Sequence, residues 1–144
     1  MKLKNIKRED IIIIEEMISD EDIYIPKIDN YGFVKNYFGF IIILNSKAVG
    51  FILINNECML LERQENNYNI QEIFILEEYG QNKLGFKTLL NILNLYKGNW
   101  EIKPALENEV ALKFWRNIIK KYTNNNYKEL VNENGRIIIT FSNK

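Results

Sequence analysis

Apolar positions along this chain recur with two periods, and the change from one period to the other marks the elements. Leu3 to Ile6 reads as a short opening strand. Arg8-Glu9-Asp10 then puts acids at a helix start, and Ile11, Ile14 and Ile18 fall on one helical face, although four consecutive isoleucines also fit a strand. Ser19 to Asn30 is acidic and irregular around Pro26, and Tyr31 to Tyr37 reads as a short second helix. Phe38 to Asn55 reads as a hairpin, two β-branched runs around the turn residues Asn45-Ser46-Lys47. Tyr68 to Leu76 is a strand with Ile70, Phe74 and Leu76 on one parity and Ile73 and Ile75 on the other, the pattern of a strand covered on both faces. Lys83 to Tyr96 is a helix with Gly85, Leu89, Ile92, Leu93 and Tyr96 on one stripe, closed by Lys97 and a C-cap glycine, Gly98. Trp100 to Lys103 is a strand stopped by Pro104. Asn108 to Tyr122 is a helix with Asn108 as N-cap and Ala111, Phe114, Trp115, Ile118 and Tyr122 on one face. Tyr127 to Val131 and Arg136 to Phe141 form a closing hairpin around Asn132-Glu133-Asn134-Gly135. This order predicts a mixed sheet with helices on its faces, α/β or α+β, in a single domain over residues 1–144.

Composition narrows the chemistry. Nineteen Lys and Arg balance nineteen Asp and Glu, so no general nucleic-acid surface is expected. There is no histidine, which excludes Ser-His and Cys-His hydrolysis and argues against a conventional zinc site; no metal is expected. The one cysteine, Cys58, cannot form an intrachain disulfide and has no evident basic partner to activate it, so it reads as inert. No apolar run approaches membrane-spanning length, and Ile11 to Ile14 is too short for a signal core. The expectation is a cytoplasmic protein with no membrane partner.

The stretch QEIFILEEYGQNKLGFKTLLNIL, residues 71–93, carries the most chemistry. A strand runs into a turn with Gly80 and Gly85, and the turn into a helix. A turn feeding a helix N-terminus aims several backbone amides at one spot, where the helix dipole also favours an anion. On its own, this two-glycine turn reads equally as a plain strand–helix joint. Downstream, Asn108-Glu109-Val110-Ala111-Leu112-Lys113-Phe114-Trp115 adds a second pattern.

Together the two segments resemble the GNAT superfamily of N-acetyltransferases. That family carries V-x-P-x-Y-[RQ]-x-x-G-x-[GA] after a strand, and here Tyr79 and Gly85 match, while Gly80 replaces the usual Arg or Gln and Lys83 the first glycine. Its N-x-x-A-x-x-[FL]-[YW] pattern matches Asn108, Ala111, Phe114 and Trp115. The resemblance implies a GNAT fold: a mixed central sheet of about seven strands, helices on both faces, and acetyl-CoA in a splay between the strand ending at Leu76 and the strand at Trp100. It implies a cofactor site at Phe74, Ile75, Leu76, Gln81, Asn82, Lys83, Leu84, Gly85, Phe86, Asn108, Phe114 and Trp115, with amides near Ile75 and Leu76 as an oxyanion hole. Asn108 would be a helix cap, a pantetheine contact, or both. Trp115 stands where many relatives have a tyrosine acid, which indole cannot replace; Tyr122 or Tyr127 is the substitute, or packs. The base would be a carboxylate, Glu72 or Glu101, and Asp20-Glu21-Asp22 either attracts a cationic amine or is a solvated loop. The implied reaction moves an acetyl group from acetyl-CoA to a primary amine of a small molecule or peptide, such as the N-terminus of a bacterial peptide product. A non-catalytic CoA-binding module is the alternative.

Overall fold

The computed structural model describes residues 1–18, 28–29, 32–33, 36–58, 66–80, 83–105 and 108–144. In chain order these form β1 (Lys2–Asn5), a 3-10 turn (Arg8–Asp10), α1 (Ile11–Met17), β2 (Ile28–Asp29), β3 (Gly32–Phe33), β4 (Phe38–Leu44), β5 (Lys47–Asn55), β6 (Asn67–Ile75), α2 (Glu77–Gly80), α3 (Leu84–Leu95), β7 (Asn99–Ile102), α4 (Glu109–Thr123), β8 (Lys128–Val131) and β9 (Ile137–Ser142). Seven strands make one mixed sheet in the order β1-β4-β5-β6-β7-β9-β8, and β2 and β3 pair separately. The fold class read from the sequence is the observed one. The helix expected over Tyr31 to Tyr37 is not: Gly32 and Phe33 lie in β3, antiparallel to β2, where glycine disfavours helix and backbone pairing takes over. Pro26 and the acidic run Asp20-Glu21-Asp22 lie outside the described residues.

The chain divides into two compact units, Met1–Asn55 with Gln71–Thr88, and Asn56–Ile70 with Leu89–Lys144. In the first, β4 and β5 join through a two-residue turn in which Asn45 (φ 50°) and Ser46 (φ 66°) are both left-handed, the geometry that matches strand twist. Lys47, expected in the turn, pairs instead with Leu44. Helices cover both faces here. On one, Ile14 and Ile18 from the α1 segment pack with Ile6, Ile41, Phe51 and Leu53; on the other, Leu84 of α3 packs with Ile42 and Val49. Asp10 fixes the start of α1 by accepting from the Lys7 amide (2.9 Å) and pairing with Lys4 (2.7 Å).

In the second unit, β7 runs parallel to β6 from Asn67↔Asn99 to Ile70↔Ile102 and antiparallel to β9. The end of α3 and α4 lie on the same face of this sheet. Tyr68 stands against Tyr96 and Trp100 (5.8 and 4.8 Å between centroids), the Trp100 indole donates to the Tyr96 carbonyl, and Tyr122 meets Phe141 at 6.0 Å. Gly98 is not the left-handed cap expected from sequence. Its φ is not positive, and a Cβ there would run into the Asn66 carbonyl, which also accepts from the Asn99 amide. Close backbone approach, not turn conformation, demands glycine here.

Candidate functional site

Two features of the first unit build a candidate anion site. β6 ends at Ile75, the single turn α2 follows, and α3 starts at Leu84. The Lys87 amide donates to the Lys83 carbonyl (3.1 Å), and helix geometry leaves the amides of Leu84, Gly85 and Phe86 without an intrahelical acceptor. Lys83 is exposed and left-handed, φ 55°. The position therefore calls for the backbone freedom of glycine, and lysine occupies it with strain. Lys47 sits 5.6 Å over the Tyr79 ring, and Tyr79 packs on the α3 cluster. The exposed acids Glu77 and Glu78 on α2 oppose these cations. Gln81 and Asn82 lie outside the described residues.

The second feature is a break in the alternation of β6. Phe51 and Asn55 are four apart in a regular part of β5 and share a face. Phe51 stacks on Phe74 (5.5 Å), and Asn55 Nδ2 donates to Gln71 Oε1 (3.2 Å). Gln71 and Phe74 thus point to one face although they are three residues apart, which requires one extra residue between them. This is a β-bulge, and it re-aims Glu72 and Ile73 and takes a backbone group out of the ladder. Two expectations change. The Leu76 amide donates to the Val49 carbonyl (2.9 Å), so it is committed to the sheet and is not an oxyanion donor. Glu72 was read as a carboxylate in a strand buried throughout, yet residues 71–75 are all partly or fully exposed, whereas Asn67, Asn69 and Ile70 are buried. The chain bends out of regular pairing at the bulge, and cover is lost there.

In this setting the comparisons with known proteins are decisive for fold. No family model matches the sequence, and no curated protein matches it. Solved structures do. A GNAT-family acetyltransferase from Bacteroides thetaiotaomicron aligns over 100% of this chain and 88% of its own at 13% identity, TM-score 0.63. The ribosomal-protein-S18-alanine N-acetyltransferase of Escherichia coli aligns over 98% and 92% at 12%, TM-score 0.67. The PaiA N-acetyltransferase of Thermoplasma acidophilum, solved with coenzyme A, aligns over 99% and 100% at 14%, TM-score 0.65. The chain has the GNAT fold.

In a GNAT fold the remaining expected residues all lie in the second unit. Asn108 caps α4, its Oδ1 accepting from the Ala111 amide (3.0 Å), which leaves Nδ2 outside the cap. Trp115 is buried, and Phe114, partly exposed, meets it edge-on at 5.4 Å. The Tyr122 hydroxyl accepts from Asn143 Nδ2 (3.1 Å), and the same amide reaches the Leu93 and Tyr96 carbonyls. This knot ties the chain end beside the start of β7. The Glu101 carboxylate is near its other end, so the structure does not bring Tyr122 to it.

Glu101 is fully buried and not idle. Lys103 Nζ, two residues on and on the same face, lies 3.2 Å from Glu101 Oε2 and donates to Asn69 Oδ1 (2.8 Å) and the Glu57 carbonyl (3.2 Å). Three acceptors match three ammonium protons. The Cys58 thiol next to this group reaches the Tyr68 carbonyl (3.7 Å). Burial, then the Glu101 charge, pushes its pKa up to about 11 against a smaller opposing pull from Lys103, in line with an inert thiol. Sequence reasoning passed over Lys103, Asn69 and the bulge. The alternation in WEIK did place Glu101 and Lys103 on one face; their acceptors come from register.

Proposed function

We propose that this protein is an N-acetyltransferase that moves an acetyl group from acetyl-CoA to a primary amine. The observation that carries the reading is the end of β6: a bulged strand leads through a turn into α3, in a chain with the GNAT fold along its whole length. The pyrophosphate of acetyl-CoA is taken by the amides of Leu84, Gly85 and Phe86 at the α3 N-terminus, with Lys83 beside it. Gln81 and Asn82 belong to the same loop in this reading. The pantetheine arm follows the end of β6 at Phe74 and Ile75, and the thioester carbonyl meets a backbone N–H freed at the bulge in place of Leu76. Asn108, Phe114 and Trp115 are carried over from the family pattern as further cofactor contacts. The amine nitrogen attacks the carbonyl carbon, a C–N bond forms, and the C–S bond breaks. The sulfur leaves as the coenzyme thiolate and is protonated from solvent. A thiol of this kind has a pKa of roughly 8.5, so Trp115 in place of an acid does not stop the step.

The ammonium proton must leave first. Of the two carboxylates, Glu101 is held by Lys103, whereas Glu72 stands at the bulge and is partly exposed. Glu72 is therefore the base, directly or through water. General-base assistance is worth roughly 10²–10⁴-fold. The test is calorimetry with acetyl-CoA together with coenzyme release in the presence of primary amines. Binding with turnover, and a loss of about a hundredfold in Glu72→Gln at neutral pH that is partly recovered at high pH, supports the reading. A rate in Glu72→Gln equal to that of the parent moves the role to Glu101, and absence of acetyl-CoA binding rejects the transferase.

The strained Lys83 and the indole of Trp115 favour a second reading, a module that binds coenzyme A without turnover. Heat of binding with no coenzyme release across all amines would select it. In either reading the protein is placed in the cytoplasm, with no nucleic acid, membrane or metal as a partner.

A further inference from the structure

In the second unit, the face of the sheet opposite α3 and α4 is polar. Glu101 pairs in register with Asn69 on β6 and with Thr140 on β9, so these side chains share that face. Counting back by twos from Thr140 through Ile138 places Arg136 on it too. Arg136 is held firmly at its backbone: its amide donates to Asn132 Oδ1 (2.9 Å), and its carbonyl accepts from the Asn132 amide (2.9 Å). Its Nη2 donates to the Lys103 carbonyl (2.9 Å). Its Nε is buried and has no hydrogen-bond partner. Among the described residues no carboxylate pairs with Arg136, because Glu101 is engaged by Lys103 and Glu129 by Arg116. The Glu101–Lys103 pair is neutral, so the guanidinium adds an uncompensated positive charge beside a saturated ammonium. A buried N–H without an acceptor is rare in native structures and calls for a missing partner. The residue as a whole stays partly exposed, so its head can be approached from solvent.

We propose that Arg136 binds a carboxylate of the acetyl acceptor, which makes the acceptor a carboxylate-bearing primary amine, an amino acid or short peptide. The proposal rests on the transferase reading above and adds the acceptor's chemical class. A guanidinium presents parallel N–H donors that match the two oxygens of a carboxylate, and charge-assisted bonds of this kind are the strong ones. Lys103 cannot supply that contact, since its three protons are used, but its charge adds to the field. Polycationic amines meet two like charges on this face and are disfavoured.

The experiment compares glycylglycine with glycylglycinamide, amines of similar basicity that differ in the carboxylate. Coenzyme release is followed at saturating acetyl-CoA for the parent, Arg136→Gln and Arg136→Lys, and acetyl-CoA binding is measured by calorimetry on the same samples. The parent should prefer the carboxylate by roughly ten- to a hundredfold in kcat/KM, carried by KM. Arg136→Gln should bring the ratio near one with acetyl-CoA affinity unchanged, and Arg136→Lys should keep part of it. If Arg136→Gln does not fold, Arg136→Lys carries the comparison, because it keeps the charge and loses the paired donors. Equal rates for the two acceptors in the parent, turnover of neither while acetyl-CoA binds, or an undiminished preference in the variants overturns the carboxylate subsite. Absence of acetyl-CoA binding in the parent overturns the transferase reading itself.

Discussion

Lys83 holds a backbone conformation, φ 55°, that costs a side chain with a Cβ roughly 1–2 kcal/mol. Lys83→Gly should therefore stabilise the fold by about 1 kcal/mol, a rise in Tm of about 3 °C for a chain of this size. The same change removes an ammonium beside the proposed pyrophosphate. An exposed ion pair is worth up to about 1 kcal/mol, so acetyl-CoA affinity should fall by up to about fivefold. Thermal unfolding and calorimetry separate the two effects, and a rise in both would show that the side chain obstructs the loop. Cys58 offers a test of the buried pair beside it. With its thiol pushed up to about 11, the thiolate is scarce at neutral pH, so alkylation by iodoacetamide should be slow and should accelerate up to that pH. The Glu101 charge disfavours the thiolate, so Glu101→Gln should lower the thiol pKa and speed alkylation; an unchanged rate profile would mean that the carboxylate does not act on Cys58. At this scale the sequence was readable where a residue acts on its own neighbours. Asn108 caps the helix three residues ahead of Ala111, as spacing alone suggests. The commitment of Leu76 to Val49, and of Lys103 to Asn69 and Glu57, depends on which strands lie side by side, and local pattern does not encode that.

At the scale of elements, the long periodic segments were legible. The β4–β5 hairpin, α3, α4 and the β8–β9 hairpin fall within a residue or two of the positions that alternation and 3.6-residue spacing mark out. Three things were not. Residues 32–33 pair with 28–29 through backbone bonds that leave no trace in side-chain pattern. The turn α2 is four residues long, too short to show a period. The bulge in β6 is hidden because QEIFIL alternates acceptably in a regular strand as well; only the partners of Gln71 and Phe74 expose it. Gly98 is the fourth case, right in residue and wrong in reason. A C-cap would tolerate Asn in its place, whereas the observed approach to Asn66 tolerates no Cβ at all. Gly98→Ala must push the 66–67 segment off the start of β7, where the Asn99 amide bonds the Asn66 carbonyl and Asn99 Nδ2 bonds Asn67 Oδ1. A loss of about 1–3 kcal/mol in denaturant unfolding is expected, and a variant as stable as the parent would show that the two segments separate freely.

For the whole molecule, the division into two units raises the question of whether they unfold together. The boundaries cut through elements. β6 passes from one unit to the other between Ile70 and Gln71, and α3 does so between Thr88 and Leu89. To unfold one unit alone, a nine-residue strand and a twelve-residue helix would have to melt to mid-length, giving up hydrogen bonds and burial in the half that stays folded. A single cooperative transition is the expected outcome, as for most chains of this size. The placement of the fluorophores makes this measurable. Both tryptophans, Trp100 and Trp115, are in the second unit, while the proposed pyrophosphate site at the start of α3 is in the first. A ligand that binds only the folded state stabilises it by about 2.7 kcal/mol at a hundred times its Kd, which for this length is a shift of about 5–10 °C. If the units unfold as one, acetyl-CoA raises the midpoint seen by tryptophan fluorescence as much as the midpoint seen by far-UV circular dichroism. If they unfold separately, the circular dichroism transition splits, and the tryptophan midpoint stays where it was.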